Sequence, residues 1–191
     1  PTITGKAAAR ETAFTILKAI ALASSLNILL GYTGYVSFGH IVFFGFGGYV
    51  GFYLLSSQGM SLWICILAGG VSSGVLAFLL GKAILRLRGA YFALATIGVN
   101  EAMRAFINNF DLFGGPTGIT LNFKAYLAYG GAAKALEMAF FVVGGLAILA
   151  IIMSYIIRTS KFGLGLLAIR ENEDAAEVMG VFAPDAKTWA Y

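Results

Sequence analysis

AIALASSLNILLGYTGYVSFGHIVFFGFGGYVGFYLLSSQGMSLWICILAGGVSSGVLAFLLG, residues 19–81, contains no Asp, Glu, Lys or Arg. A helix crosses about 30 Å of hydrocarbon with about 20 residues. With the residues just before it, this stretch holds two full crossings and has room for three. Gly and polar clusters divide it. The first piece is Thr12–Leu30, with Lys18 inside it; the second is Ile41–Ser56; the third is Met60–Leu85. Between the first two lies Gly31–His40, uncharged but rich in Gly and hydroxyls. That composition predicts an unwound or re-entrant stretch. Non-helical backbone at membrane depth must be covered by protein or line a cavity, because lipid satisfies neither N–H nor C=O groups.

Reading outward, a fourth segment, Tyr91–Phe110, is apolar except for Glu101, Arg104 and amide side chains. A polar connection, Asp111–Lys134, contains Gly114-Gly-Pro-Thr-Gly118, a strong turn signal. The fifth segment is Met138–Ile157, and a polar stretch, Arg158–Lys187, follows it. The expected fold is therefore an all-α membrane protein with about five membrane segments over residues 12–157. Residues 158–191 form a cytoplasmic loop. No further apolar segment follows, so the chain ends before a return crossing, and residues 1–191 read as a single, partial transmembrane domain.

Composition agrees. The chain has 191 residues, 59% apolar and only 12% charged, against about 25% charged in an ordinary soluble domain. Mean hydropathy is +0.85. These values exclude a disordered chain and a disulfide scaffold. A net charge of +4 argues for no nucleic-acid partner. Cys65 stands alone in an apolar run and reads as a small buried hydrophobe. His40, the only histidine, has no Cys, Asp or Glu near it, so neither a metal site nor a cofactor is expected. No G-x-x-x-x-G-K-[S/T] loop occurs, and Gly81-Lys82 lacks the flanking residues, so the chain is not expected to bind or hydrolyse ATP.

Lys82, Arg86 and Arg88 follow the third segment, and Arg158, Lys161 and Arg170 follow the fifth. Two crossings separate these clusters, so they share one side, cytoplasmic by the positive-inside rule. The Gly-Gly-Pro loop is then external. Gly47/Gly51 and Gly70/Gly74 each form G-x-x-x-G, which predicts close helix packing within the bundle.

The most informative motif is Ala168-Ile-Arg-Glu-Asn-Glu-Asp-Ala-Ala-Glu-Val-Met-Gly180. Asn172 suits an N-cap. Glu173 and Asp174 would occupy the positive first turn. Gly180 suits a C′ position with φ > 0, and Pro184 stops continuation. The product is a helix of about two turns. Arg170, Glu171, Glu173 and Glu177 charge its surface, and Ala175, Ala176, Val178 and Met179 give it small and apolar surface. It is too short to stand alone in water, so it must dock. A solvated connector is the bland alternative.

Asp174-Ala175-Ala176-x-x-x-Gly180 resembles the EAA motif of ABC-importer permeases, with Asp in place of the usual Glu. Further segments look like the branched-chain amino-acid permease family, in particular its LivM-type subunit. They are Asn27-Ile-Leu-Leu-Gly-Tyr-Thr-Gly-x-x-Ser-Phe-Gly-His40, Leu85-Arg-Leu-Arg-Gly-x-Tyr-Phe-Ala-x-x-Thr-x-Gly98, Gly114-Gly-Pro-Thr-Gly-Ile119, and Ser160-Lys-Phe-Gly-x-x-x-x-Ala-Ile-Arg-Glu-Asn-Glu173. Ala90 departs from the acid often found at its place.

The resemblance implies a multi-pass permease of the cell inner (plasma) membrane, taking up branched-chain amino acids. It implies a second related permease, two cytoplasmic ATPase subunits and an extracytoplasmic binding protein as partners, with ATP hydrolysis in those partners. Arg170, Glu171, Asn172, Glu173, Asp174, Ala175, Ala176, Glu177 and Gly180 would couple to the ATPases.

Glu101 and Arg104, at i,i+3, share a helix face. They read as a structural ion pair or as part of a polar translocation path, to which Thr33 and Ser37 would add hydroxyls. Two other readings compete with the ABC permease. One is an ion-coupled secondary transporter with a broken helix at Gly31–Gly39. The other is a truncated, non-functional remnant.

Overall fold

The computed structural model describes residues 7–119 and 131–191. Among the described residues the structure is helical, without strands. Its long helices are α1 (Ala7–Thr33), α2 (His40–Ser57), α3 (Leu62–Ile84), α4 (Ala90–Asn109) and α5 (Ala132–Thr159). Three shorter ones follow: α6 (Lys161–Glu171), α7 (Glu173–Val178) and α8 (Ala183–Ala190). Among the described residues, four helices, within α1, α2, α3 and α5, are long and apolar enough to cross a membrane. The fourth expected segment forms α4, long at 20 residues. Its Asn100, Glu101, Arg104, Asn108 and Asn109 keep it out of that group.

The chain divides into two compact units. The first comprises residues 1–34 and 126–183, the second 35–125 and 184–191. In the first, α1 packs along α5, and α6 lies against both. The Tyr32 hydroxyl donates to the Ser154 carbonyl at 3.1 Å. Leu17 fills the space over Gly144. The turn from α5 into α6 is set by Ser160. Its hydroxyl donates to Ile157 O at 2.8 Å and accepts from Gly163 N at 3.1 Å. A Cβ on Gly163 would strike the Ile157 carbonyl, which accounts for glycine in the Ser160-Lys-Phe-Gly motif.

In the second unit α2 and α3 approach until backbones touch. A Cβ on Gly69 would lie 2.6 Å from Gly47 O, and one on Gly51 3.2 Å from Cys65 O. The Ser73 hydroxyl donates to Phe43 O at 2.7 Å across the same crossing. The Gly47/Gly51 motif thus packs as expected, but Gly70 and Gly74 have no neighbour within 4 Å. Their G-x-x-x-G spacing falls on the open side of α3, and Gly69 takes the packing role.

Boundaries differ from expectation for local reasons. The first helix runs through Gly31 to Thr33 and stops where Gly34 takes φ +74°. Residues 34–37 carry no regular structure, and α2 opens at His40. The expected unwound stretch Gly31–Gly39 therefore shortens to its second half. The polar stretch after α5 is not an extended loop: α6, α7 and α8 fill it. Pro184 sits at the start of α8, where a missing N–H costs nothing, and so opens a helix. Residues 120–130 of the Asp111–Lys134 connection lie outside the described residues. Gly114 and Gly115 there bend the chain at φ +78° and +54°.

Candidate functional site

The Ala168–Gly180 motif folds as two helices joined at Asn172. The first, α6, ends at Glu171, and Asn172 N donates to Ala168 O at 3.0 Å. Asn172 then turns to extended backbone and its side-chain oxygen accepts from Ala175 N at 3.1 Å. This is the expected N-cap, satisfying one of the free N–H groups of α7. Glu173 and Asp174 occupy the first turn, where carboxylates oppose the positive end of the dipole.

The other end closes as a Schellman motif. Gly180, at φ +90°, donates from its N–H to Glu177 O at 3.0 Å, and Val181 N–H donates to Ala176 O at 3.0 Å. The Val181 side chain lies over Gly165 of α6. A six-residue helix is thus held at both ends and clamped beneath.

Its two faces differ. Ala176 is 3% exposed and faces the unit's interior, while Val178 and Met179 are 87% and 84% exposed. Phe182 just beyond is also exposed. Glu171, Asp174, Ala175 and Glu177 are exposed as well. The exposed surface of α7 and its exit therefore carries both apolar side chains and carboxylates.

Arg170 goes elsewhere. Its Nη1 donates to Gly31 O at 2.8 Å, at the end of α1. Its stem lies 3.2 Å from where a Cβ of Gly34 would be.

Thr33 and Ser37 are both buried. Thr33 Oγ1 donates to Leu29 O at 2.6 Å. Ser37 Oγ has no hydrogen-bond partner. Thr33 belongs to the first unit and Ser37 to the second. Glu101 and Arg104 are exposed on α4 and form no ion pair with each other. Of the two readings, a structural ion pair is not formed, and both side chains are exposed.

Sequence reasoning missed α8. Lys187 is 1% exposed, with Nζ donating to the Tyr35 hydroxyl at 3.3 Å and standing 4.7 Å over that ring. Tyr191 meets Phe43 edge-on at 5.2 Å and Phe92 at 6.3 Å. Burial lifts the Tyr191 phenol above its ordinary value, with the nearby Ser37 hydroxyl acting in the opposite sense. The pair does not reach hydrogen-bond geometry. The available signal was spacing: Ala183, Lys187 and Tyr191 fall at i, i+4 and i+8. No group of His, Cys, Asp and Glu suited to a metal occurs among the described residues.

A family model described as the branched-chain amino acid transport system / permease component matches residues 11–190. Over 102 residues the chain is 37% identical to the high-affinity branched-chain amino acid transport system permease protein LivM of Salmonella typhimurium. It is 36% identical, over 102 residues, to the protein of the same name from Escherichia coli. Each match covers 53% of this chain and 24% of the relative. No solved structure gives a significant match. The chain, a multi-pass helical membrane protein, belongs to the branched-chain amino acid transport system permease family.

Proposed function

We propose that the chain is a transmembrane subunit of an ATP-driven importer of branched-chain amino acids in the cell inner membrane. It works with a second related permease, two cytoplasmic ATPase subunits and an extracytoplasmic binding protein. The family match supports the transport role. The observation that carries the coupling role is the outward face of α7. Val178 and Met179 stand almost fully exposed on a helix too short for stability by itself, yet fixed by caps and by Ala176 burial. Exposed apolar groups on a rigid mount suit a protein partner. In the complex, Val178, Met179 and Phe182 fill a groove of one ATPase, and Asp174 and Glu177 meet basic groups at its rim. ATP-driven closure pushes α7, and the permease changes its facing state.

The test is capture of the ATPase subunits by the full-length permease from membranes, comparing the native protein with Val178→Asp and Met179→Asp. Both side chains are exposed, so folding should change by no more than about 0.5 kcal/mol. Loss of capture together with loss of leucine uptake is the expected result. Undiminished capture by both variants refutes the docking role of this face.

A further inference from the structure

The geometry points to Arg170 as a positioning residue that carries movement of the coupling loop to the C-terminal end of α1. This rests on the coupling role proposed for α7. The last turn of α1 leaves carbonyls without helical partners, as every helix end does. Leu29 O accepts from Thr33 Oγ1 at 2.6 Å, and Leu30 O accepts from Gly34 N at 3.0 Å. Gly31 O, in the same turn, accepts from Arg170 Nη1 at 2.8 Å. A guanidinium at a helix C-terminus also opposes the negative end of the dipole, and the donor is charged, in a bond exposed to solvent.

Gly34 adds a second, independent constraint. At φ +74° it already favours glycine. A Cβ there would also press on the Arg170 stem at 3.2 Å. The arginine therefore lies flat against the point where the chain leaves α1. At its other side Arg170 stands in the last turn of α6, two residues before the Asn172 cap. Displacement of α7 passes through the Asn172 turn to Arg170 and then to Gly31. Beyond Gly31 lies the stretch 34–37, which carries no regular structure. Arg170 thus faces α1, although it lies in the motif that docks.

The experiment uses the full-length permease reconstituted in liposomes with its second permease, both ATPases and the binding protein. Arg170→Gln should assemble normally and hydrolyse ATP, while leucine taken up per ATP falls roughly tenfold, the scale of losing one charge-assisted hydrogen bond. Arg170→Lys, which still brings a charged donor, should recover part of the loss. Unchanged uptake per ATP overturns the proposal. Loss of assembly also overturns it, since Arg170 would then belong to the docking face. A second measurement needs no partner. Hydrogen exchange at the Gly34 amide of the permease alone should quicken about tenfold in Arg170→Gln, and unchanged exchange counts against the link. If the native permease captures no ATPase, the importer reading fails while the exchange result still decides the Arg170–Gly31 contact.

Discussion

The N–H of Val181 donates to the carbonyl of Ala176 at 3.0 Å, spanning Gly180, whose φ is +90°. The bond turns the chain off the end of α7 and brings Val181 down onto Gly165. A Cβ at position 180 has open space around it, so backbone conformation alone opposes substitution. Gly180→Ala should cost about 1–2 kcal/mol of local stability. Gly180→Asn should cost less, because Asn tolerates this region. Hydrogen exchange at the Val181 amide reads the effect directly: acceleration of about tenfold in the Ala variant is expected. Equal exchange in both variants and the native chain would remove Gly180 from the explanation of the turn.

On α3, Gly69 and the G-x-x-x-G glycines Gly70 and Gly74 should respond oppositely to the same mutation. Gly69→Ala forces a methyl to within 2.6 Å of Gly47 O, and a backbone carbonyl cannot swing aside. The helices must separate, at a cost of about 1–3 kcal/mol typical of overpacking. Gly70→Ala and Gly74→Ala meet nothing within 4 Å and should be neutral or slightly stabilising through helix propensity. Thermal unfolding in detergent separates the cases. A melting temperature lowered equally by all three would mean that loss of glycine itself, not contact with α2, governs α3.

What was legible in the sequence was what local chemistry controls. Absence of charge located the membrane helices, and Asn172 and Gly180 announced the caps of α7 because a cap is made within four residues. The end of α1 was misplaced at Leu30, since Gly31 looks like a breaker but is helical and Gly34 ends the helix. The charges Glu101 and Arg104 had the spacing of a pair and do not form one. Spacing places them near each other but does not supply the desolvation that would hold two flexible side chains together. Least legible were the bonds from Arg170 to Gly31 and from Lys187 to Tyr35, between residues 139 and 152 positions apart. No periodicity encodes a partner at that distance along the chain.

Tyr35 meets Lys187 of α8 in two ways. The Tyr35 hydroxyl accepts from Nζ at 3.3 Å, and the same ring lies 4.7 Å beneath the ammonium. Tyr35→Phe keeps the ring and removes the acceptor, which should weaken α8 attachment by about 1.5–3 kcal/mol, the range for a hydrogen bond to a charged group. Tyr35→Leu removes both and should cost more. Trp189, whose ring centroid lies 6.0 Å from that of Phe78, reports the attachment by fluorescence in a Trp63→Phe background. Equal midpoints for the Phe and Leu variants would show that the ring contributes nothing to holding Lys187.

The same reporter tests Tyr191, where the expected effect runs with pH. Burial favours the neutral phenol, so its folded-state value lies above the ordinary 10.0. A raised value means that the stabilisation is complete below the unfolded phenol pKa of about 10. It is lost as pH rises through the folded value, because ionisation would place a phenolate among Phe43 and Phe92. Attachment of α8 should therefore be level up to about pH 10 and weaken above it. Tyr191→Phe should abolish that alkaline loss. It should also cost nothing at neutral pH, since neither the Tyr191 hydroxyl nor Ser37 Oγ has a hydrogen-bond partner to lose. A Phe variant that detaches at neutral pH would mean that the hydroxyl holds α8 through a bond to water or to Ser37, and that the rings alone do not anchor it.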